Sequence, residues 1–219
     1  MNNLTTHKIV KCTISSIVLL SAAHGVTVAT WDLTNTGSGA VTVNPDAVGA
    51  SAGAATAGAG LSTTNFTASG FGGSETGGFL DASPTLASVI TDGQYLSFTV
   101  TPGTLGITYL SFDYYIEAVP RSSNTVSLMS SVGGFVDGNE IGTYTHSTEY
   151  STANVSFDVS SLSSESSPIE FRLYLYGKAS SPNAGSSTFI NNLSLAPEPT
   201  SLTLLGLGGL ALFTRRNRS

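Results

Sequence analysis

Cysteine is almost missing from this 219-residue chain, which contains only Cys12. Cys12 precedes an apolar run near the N-terminus, so it is badly placed for the acylated cysteine of a lipoprotein signal, and we expect it to be removed with that segment. A mature chain without a thiol excludes disulfides, thiolate catalysis and cysteine-ligated zinc.

Charged side chains are also scarce, at 10% of the sequence, whereas 40% of the residues are hydrophobic. This composition is too apolar for a disordered chain and too polar for a membrane bundle. Residues 26–195 hold 13 acidic residues against 3 basic ones, a net charge of −10. Such an acidic body repels phosphate backbones and has no basic stripe, which excludes nucleic acid as a partner.

Histidine occurs three times, and only His146 lies securely between the two ends of the chain. We expect His146 to be an exposed strand residue and not a catalytic base, because no Gly-x-Ser-x-Gly elbow is present to hold a serine beside it. The glycine-rich segments lack the strand-to-helix context of phosphate-binding loops. We therefore expect no cofactor.

The N-terminus has the three-part layout of a signal peptide. Lys8 and Lys11 form a basic region, residues 14–20 are largely apolar, and residues 21–23 are small. We predict cleavage by signal peptidase after Ala23, or after Gly25. An uncleaved anchor is the alternative, but the apolar run falls well short of the roughly 20 residues that span a bilayer.

The C-terminus combines a strand breaker, an apolar stretch and a cationic end. The breaker is Pro197-Glu198-Pro199, since proline cannot donate to a strand ladder. Residues 202–213 can enter lipid as a short hydrophobic sorting helix, while the terminal arginines stay in the cytoplasm; these are Arg215, Arg216 and Arg218. The apolar stretch is thin for a plain anchor, because a helix rises only about 1.5 Å per residue.

In the order and spacing of these parts the tail resembles the PEP-CTERM family of sorting signals. The resemblance implies recognition by an exosortase, an integral membrane processing enzyme of Gram-negative bacteria that make extracellular polysaccharide. It also implies transient anchoring in the inner membrane and removal of the tail near Pro-Glu-Pro. The resemblance covers only residues 196–219, so it leaves the function of the body open.

Between the two ends, apolar and polar residues alternate with a period of two, which predicts half-buried β-strands. The clearest runs are residues 96–100, 110–116, 155–159 and 169–175, with further strands predicted near residues 26–33, 40–43, 125–132, 142–146 and 189–195. We predict an all-β fold, a two-sheet antiparallel sandwich with jelly-roll connectivity. The domains are then a signal peptide at 1–23, a secreted β-sandwich domain at 24–195 and a sorting segment at 196–219.

Two further expectations concern the interior of this domain. Phe112 and Phe171 lie in the middle of apolar strand faces, and Trp31 is expected in the core or at a sheet edge. Residues 45–93 are rich in Ala and Gly, so we expect a long loop with short strands and no amphipathic helix of useful length.

Seven polar and aromatic residues form the candidate ligand-binding surface. Tyrosines can stack on sugar rings, and carboxylates and arginine can bind hydroxyl groups. We expect two strands to bring these residues together on one face; they are Tyr109, Asp113, Tyr115, Glu117, Arg172, Tyr174 and Tyr176. The alternative is an ordinary solvated sheet face on which tyrosines are favoured by β-propensity.

Enzymatic and metal chemistry are less well supported. Asp113 and Glu117 share a strand face but lie roughly 13 Å apart, and a pairing of either with Glu170 is not distinctive among 13 acids. We therefore expect no enzyme. Residues 137–140 are expected to form a turn, with a structural calcium site as the alternative.

Three functions remain at this point. The leading hypothesis is a non-catalytic structural or adhesive component of the cell surface or of extracellular polysaccharide. A carbohydrate-binding module is the second hypothesis, and a secreted carbohydrate-active enzyme is a weaker third.

Overall fold

The computed structural model describes residues 29–34, 42–44, 51–60, 66–67, 69–74, 85–103, 106–118, 122–177 and 187–196. Nearly all regular structure in these ranges is β. The elements are β1 (Ala29–Asp32), β2 (Thr42–Asn44), β3 (Ser51–Ala52), β4 (Thr56–Ala57), β5 (Phe66–Thr67), β6 (Gly70–Ser74), α1 (Leu86–Thr91), β7 (Leu96–Thr101), β8 (Tyr109–Ile116), β9 (Thr125–Ser130), β10 (Gly142–Thr145), β11 (Ser151–Asp158), a 3-10 turn (Ser160–Leu162), β12 (Ile169–Tyr176) and β13 (Ser187–Ala196).

The strands form two antiparallel sheets. Sheet A has the order β11-β8-β13-β1-β2, with β6 also pairing with β13 and β5 pairing with β6. Sheet B has the order β10-β9-β12-β7-β3, with β4 also pairing with β7. The prediction of a two-sheet antiparallel sandwich is confirmed.

The core lies between the two sheets. It is formed by the apolar residues that alternate with polar ones along the strands. In β8 the even-numbered residues point inward, and in β12 Ile169, Phe171, Leu173 and Leu175 do so. Aromatic rings join the sheets, because Trp31 of β1 lies 4.9 Å from Phe98 of β7, measured between ring centroids. Trp31, Phe112 and Phe171 are 0% exposed, which confirms the predicted core positions.

The outer face of sheet B is partly covered by other parts of the chain. Helix α1 packs against β12 and buries Leu86 and Val89. Thr85 caps this helix, because its hydroxyl accepts a hydrogen bond of 3.2 Å from the backbone N–H of Ser88. Strand β9 is buried at all six positions, including those that face away from the core.

Residues 45–93 were predicted to be a long loop with short strands. The described part of this range contains four strands of two to five residues, as predicted. The exception is α1, which was not predicted. Its six residues are too few to show a helical period against the surrounding alternation.

The expectation of an exposed His146 is wrong, since its side chain is only 4% exposed. Strand β10 ends at Thr145, and the N–H of His146 donates to the carbonyl of Asn124 at 2.7 Å. The imidazole then packs edge-on against Tyr114 and Tyr144, at 5.9 and 6.0 Å between ring centroids.

The predicted signal peptide and sorting helix lie outside the described residues. Within the described ranges, no helix has the length and apolar character that crossing a membrane requires.

Candidate functional site: a cleft on the outer face of sheet A

An open cleft of about 570 Å³ lies on the outer face of sheet A. Strands β11, β8 and β13 supply most of its lining, and Ser69 stands at the margin before β6. The lining residues are Ser69, Asp113, Tyr115, Glu117, Thr152, Ser187, Phe189, Asn191 and Asn192.

Asp113 lies at the centre of the three strands, opposite Asn154 of β11 and Asn191 of β13. Its Oδ1 accepts a hydrogen bond of 3.1 Å from Nδ2 of Asn154, and its Oδ2 accepts one of 2.7 Å from Nδ2 of Asn192. Because a carboxylate can only accept, both amide groups turn their nitrogen towards Asp113 and their oxygen away from it.

Asn192 reaches Asp113 because β13 contains a bulge. The pairing register between β13 and β8 shifts between Asn191 and Ser194, and Asn192 has a φ of 50°. Its backbone N–H donates to Oδ1 of Asn191 at 2.8 Å. Asparagine is one of the few residues that tolerate this left-handed conformation, so the bulge suits the residue found there.

Two aromatic rings form the apolar part of the cleft. Tyr115 of β8 lies directly opposite Phe189 of β13. Their ring centroids are 6.2 Å apart with an interplanar angle of 27°, and both side chains are half-buried. Cross-strand aromatic pairs of this kind stabilise the sheet. Both residues line the cleft and give it an apolar surface.

Glu117 follows β8 and fixes one end of the cleft to the start of β13. Its backbone N–H donates to the carbonyl of Ser187 at 2.9 Å, and its Oε2 accepts from the N–H of Ser187 at 2.7 Å. The side chain is therefore held against β13 by a hydrogen bond to its carboxylate.

The described residues that line the cleft are rich in hydrogen-bond acceptors and include no Lys, Arg or His. It offers two carboxylates, two asparagine amides, hydroxyl groups and a stacked aromatic pair. A ligand that fits must bring its own donors and an apolar face, since small-molecule sites combine apolar surface with a few placed polar groups. Sugars have both properties.

Of the predicted surface, the structure brings together Asp113, Tyr115 and Glu117. Tyr109 begins the same strand and is 45% exposed, but it does not line the cleft. The remaining three residues lie on β12 of sheet B, so the expectation of one shared face is wrong. The period of a strand fixes which face a residue occupies, but it does not identify the neighbouring strands.

Arg172, Tyr174 and Tyr176 take part in the packing of sheet B. The guanidinium carbon of Arg172 lies 4.1 Å from the ring centre of Tyr95 and 3.7 Å from that of Phe135. Tyr174 is 0% exposed, and burial raises the pKa of its hydroxyl. Tyr176 is half-buried, and its hydroxyl is 2.9 Å from Oγ of Ser127.

Sequence reasoning missed six lining residues, which are Ser69, Thr152, Ser187, Phe189, Asn191 and Asn192. The bulge was visible as an interruption of the alternation, because the buried residues Ile190, Leu193 and Leu195 are spaced by three and then by two. An Asn-Asn pair inside an apolar strand is the signal that could have located it.

Residues 137–140 form the predicted turn. Gly138 has a φ of 96°, and its N–H donates to Oε1 of Glu140 at 2.9 Å. Nδ2 of Asn139 donates to the carbonyl of Gly133 at 2.7 Å. In the part of the chain that the structure describes, no group of three or more His, Cys, Asp or Glu side chains is placed to hold a metal ion.

Solved structures similar to part of the chain include TmCBM61 in complex with β-1,4-galactotriose, at 19% identity and a TM-score of 0.31, covering 48% of this chain and 65% of that one. An acetyl xylan esterase from the rumen bacterium Butyrivibrio proteoclasticus is similar at 14% identity and a TM-score of 0.30, with 48% of this chain and 24% of that one covered. The chain thus spans less than two thirds of either structure, and at these TM-scores the likenesses carry no inference about ligand. No curated protein matches.

The processing residues predicted at the two ends, Ala23 and the groups of the tail, lie outside the described residues. The sequence of the tail nevertheless matches a family model, over residues 195–219, for the PEP-CTERM protein-sorting motif. The match includes Pro197, Glu198 and Pro199 and the arginines at 215, 216 and 218. The chain therefore ends in a PEP-CTERM sorting motif, which implies that the protein is exported and sorted to the surface by an exosortase.

Proposed function

We propose that this exported protein is a non-catalytic adhesive component of the cell surface that holds extracellular polysaccharide in the cleft of sheet A. The observation that carries the proposal is the combination of a stacked Tyr115–Phe189 pair with Asp113 and Glu117 in one open cleft of about 570 Å³. This combines the structural or adhesive role with the carbohydrate-binding role, because adhesion to a polysaccharide requires a surface that recognises it.

The chemistry of the cleft suits a sugar in two ways. The apolar face of a pyranose ring can lie on an aromatic ring, and burial of that face supplies affinity. The hydroxyl groups around the ring can donate to Asp113 and Glu117, and hydrogen bonds to charged acceptors are stronger than those between neutral groups.

The positions of the two carboxylates favour binding over catalysis. Both oxygens of Asp113 accept amide N–H groups, and Oε2 of Glu117 accepts a backbone N–H. Glycoside hydrolases hold their two carboxyl groups about 5 to 10 Å apart. The four-residue separation of Asp113 and Glu117 corresponds to roughly 13 Å along an extended strand.

The rest of the proposal concerns export. Signal peptidase removes residues 1–23, the C-terminal segment anchors the chain briefly in the inner membrane of a Gram-negative bacterium, and an exosortase then releases it to the surface or matrix. Jelly-roll connectivity of the sandwich remains part of this proposal. Signal peptidase and exosortase contact the chain only during processing, whereas the polysaccharide is the partner of the mature protein.

The test is binding of the full-length chain, purified in detergent, to a glycan array and to the polysaccharide of its own host. We expect binding that is lost in Tyr115→Ala and retained in the matched control Tyr109→Ala, which removes an exposed tyrosine of the same strand outside the cleft. Equal binding by both variants, or no binding by wild type, would overturn the proposal. Release of soluble sugar during incubation would indicate the enzyme alternative.

A further inference from the structure

A second depression adjoins the cleft on the outer face of sheet A. It has a volume of about 410 Å³ and is lined by Thr30, Trp31, Asp32, Asn192, Leu193 and Ser194. Asn192 lines both depressions, so the two meet at the bulge of β13.

The polar residues of the second depression supply hydroxyl and carboxylate groups, as those of the first do. Thr30 and Asp32 are the outward-facing residues of β1, whereas the side chains of Trp31 and Leu193 are 0% exposed and belong to the core. The hydroxyl and the backbone N–H of Thr34 donate to Oδ1 of Asp32 at 2.6 and 3.0 Å, and these hydrogen bonds hold the pKa of Asp32 below its ordinary value.

Together the depressions cross four adjacent strands, β11, β8, β13 and β1. With neighbouring strands about 4.8 Å apart, this is a path of roughly 14 Å. A single sugar ring would occupy only part of such a path. A path of this length suits several consecutive rings of a longer chain.

The charge of the groove restricts which glycans it can bind. Among the residues that the structure describes, the lining of the two depressions includes Asp32, Asp113 and Glu117 but no Lys, Arg or His. The body around them carries a net charge of −10, from 13 acidic and 3 basic residues. Uronic acids and other acidic sugars would meet like charges at close range, which disfavours their association.

We propose that the two depressions form one groove for several consecutive sugars of a linear glycan that carries no acidic sugars. This inference rests on the proposed carbohydrate-binding function and adds the length and charge of the ligand. Neutral sugars satisfy the acceptors of the groove with hydroxyl donors, and unacetylated amino sugars add ammonium donors of opposite charge.

The first arm of the test uses affinity electrophoresis of the full-length chain in detergent, with hydroxyethylcellulose, chitosan or polygalacturonate in the gel. We expect retardation by the neutral or the cationic polymer and none by polygalacturonate. Retardation by polygalacturonate as strong as by the others would overturn this inference and leave the proposed function standing. No retardation by any of the three would overturn this inference, and it would overturn the proposed function as well if the host's own polysaccharide also failed to retard the chain.

The second arm tests the length of the groove with the variant Thr30→Tyr, which fills the second depression with a ring. Dimers and hexamers of the retarding polymer are titrated against wild type and the variant. We expect wild type to bind the hexamer about tenfold more tightly than the dimer, and Thr30→Tyr to remove that preference without weakening the dimer. The matched control is Val132→Tyr, which adds the same ring at a position 51% exposed after β9. A wild type that binds dimer and hexamer equally, or a Thr30→Tyr variant that keeps the preference, would overturn the inference.

Discussion

Oδ2 of Asp113 accepts a hydrogen bond of 2.7 Å from Nδ2 of Asn192, which ties β8 to the bulge of β13 at the point where the two depressions meet. Two features of Asn192 contribute to this contact. Its side chain makes the hydrogen bond, and its φ of 50° places the side chain over the sheet. Substitutions can separate these two contributions.

The first prediction compares Asn192→Gly with Asn192→Ala. Glycine accepts a positive φ without strain, so it removes only the hydrogen bond, whereas alanine adds backbone strain. We expect both variants to bind glycan more weakly, and we expect the alanine variant to be less stable than the glycine variant by about 1 kcal/mol. Urea denaturation measures the difference. Asn154→Ala is the control, because it removes the other amide partner of Asp113 from an ordinary strand position; equal stability of the two Asn192 variants would contradict the role of φ.

The second prediction concerns the two faces of the strands. Phe112→Ala and Phe171→Ala should each lower the free energy of unfolding by about 3 to 5 kcal/mol, because both rings are fully buried and leave a cavity. Tyr115→Ala should cost about 1 kcal/mol, since it loses mainly its pairing with Phe189 on the outer face. Denaturant titration of the three variants gives the comparison, and equal losses would mean that the faces are assigned the wrong way round.

The strands and the core were predictable because burial on one face leaves a period-two pattern in the sequence. Phe112 and Phe171 were placed in the core for this reason. The assignment of strands to sheets was not predictable, because it depends on pairings between segments far apart in the chain. The sequence pattern therefore predicts Arg172 and Tyr174 on the same surface as Asp113, although β12 belongs to the other sheet.

The cleft itself could be predicted only in part. Asp113, Tyr115 and Glu117 follow from the polar face of a single strand. Phe189 and Asn192 lie on β13, where the bulge shifts the alternation of apolar and polar residues by one position. The sequence pattern therefore does not show that they share a face with Asp113. Burial of Tyr174 was equally hidden, because the helix and loops that cover sheet B have no periodic signal of their own.

The third prediction is a loss of stability on acidification caused by His146. Burial holds the pKa of His146 below its ordinary value of 6.5, so the unfolded chain binds the proton more readily than the folded one. In the neutral ring, Nδ1 accepts a hydrogen bond of 3.2 Å from the N–H of Thr148. Protonation of Nδ1 would abolish this hydrogen bond, because two N–H groups would then point at each other. The stabilising contribution of the neutral ring is therefore complete above about pH 6.5 and is lost as the pH falls through the lower pKa of the folded state.

Denaturant titration between pH 7.5 and pH 5 measures this effect. We expect the free energy of unfolding of wild type to fall over that range, and we expect a shallower fall in His146→Gln, which cannot titrate. Asp32 and Asp158 also have lowered pKa values, but their ordinary value is 3.8 and their effect appears at lower pH. The same slope in wild type and His146→Gln would rule out His146 as the cause.

The fourth prediction assigns Arg172 to packing. Its guanidinium lies between the rings of Tyr95 and Phe135, and its Nε is 2.8 Å from Oε1 of Glu170. Arg172→Ala should lower the free energy of unfolding by about 1 to 2 kcal/mol through the lost cation–π contacts. It should also speed hydrogen exchange around Phe135, while glycan binding stays unchanged.

Glu170→Gln is the control for Arg172, because it removes only a partly exposed ion pair. Such pairs contribute about 0.2 to 1 kcal/mol. If Glu170→Gln loosens the region around Phe135 as much as Arg172→Ala does, the aromatic contacts are not the main support of that segment. If Arg172→Ala abolishes glycan binding with the fold intact, Arg172 belongs to the binding surface after all.

The last prediction concerns the junction between the domain and its sorting motif. The matched motif begins at residue 195, so it overlaps the end of β13 by two residues. Leu195 is fully buried, and the carbonyl of Ala196 accepts a hydrogen bond of 2.8 Å from the N–H of Thr108. The tail therefore leaves directly from a strand with partners on both sides, and the boundary for a clean truncation lies after Ala196.

Deleting residues 197–219 should leave β13 complete and release a folded protein into the medium, because neither the lipid-seeking stretch nor the arginines that resist crossing remain. Replacing only Pro197, Glu198 and Pro199 with alanine should keep the anchor but remove the segment that the exosortase recognises, so the full-length chain should accumulate in the inner membrane. A truncation after Asn192 controls for folding, since it removes the buried Leu193 and Leu195 and should give no stable protein. Cell fractionation with blotting follows all forms. If wild type, the 197–219 deletion and the alanine replacement distribute alike, the tail does not determine the destination of the protein.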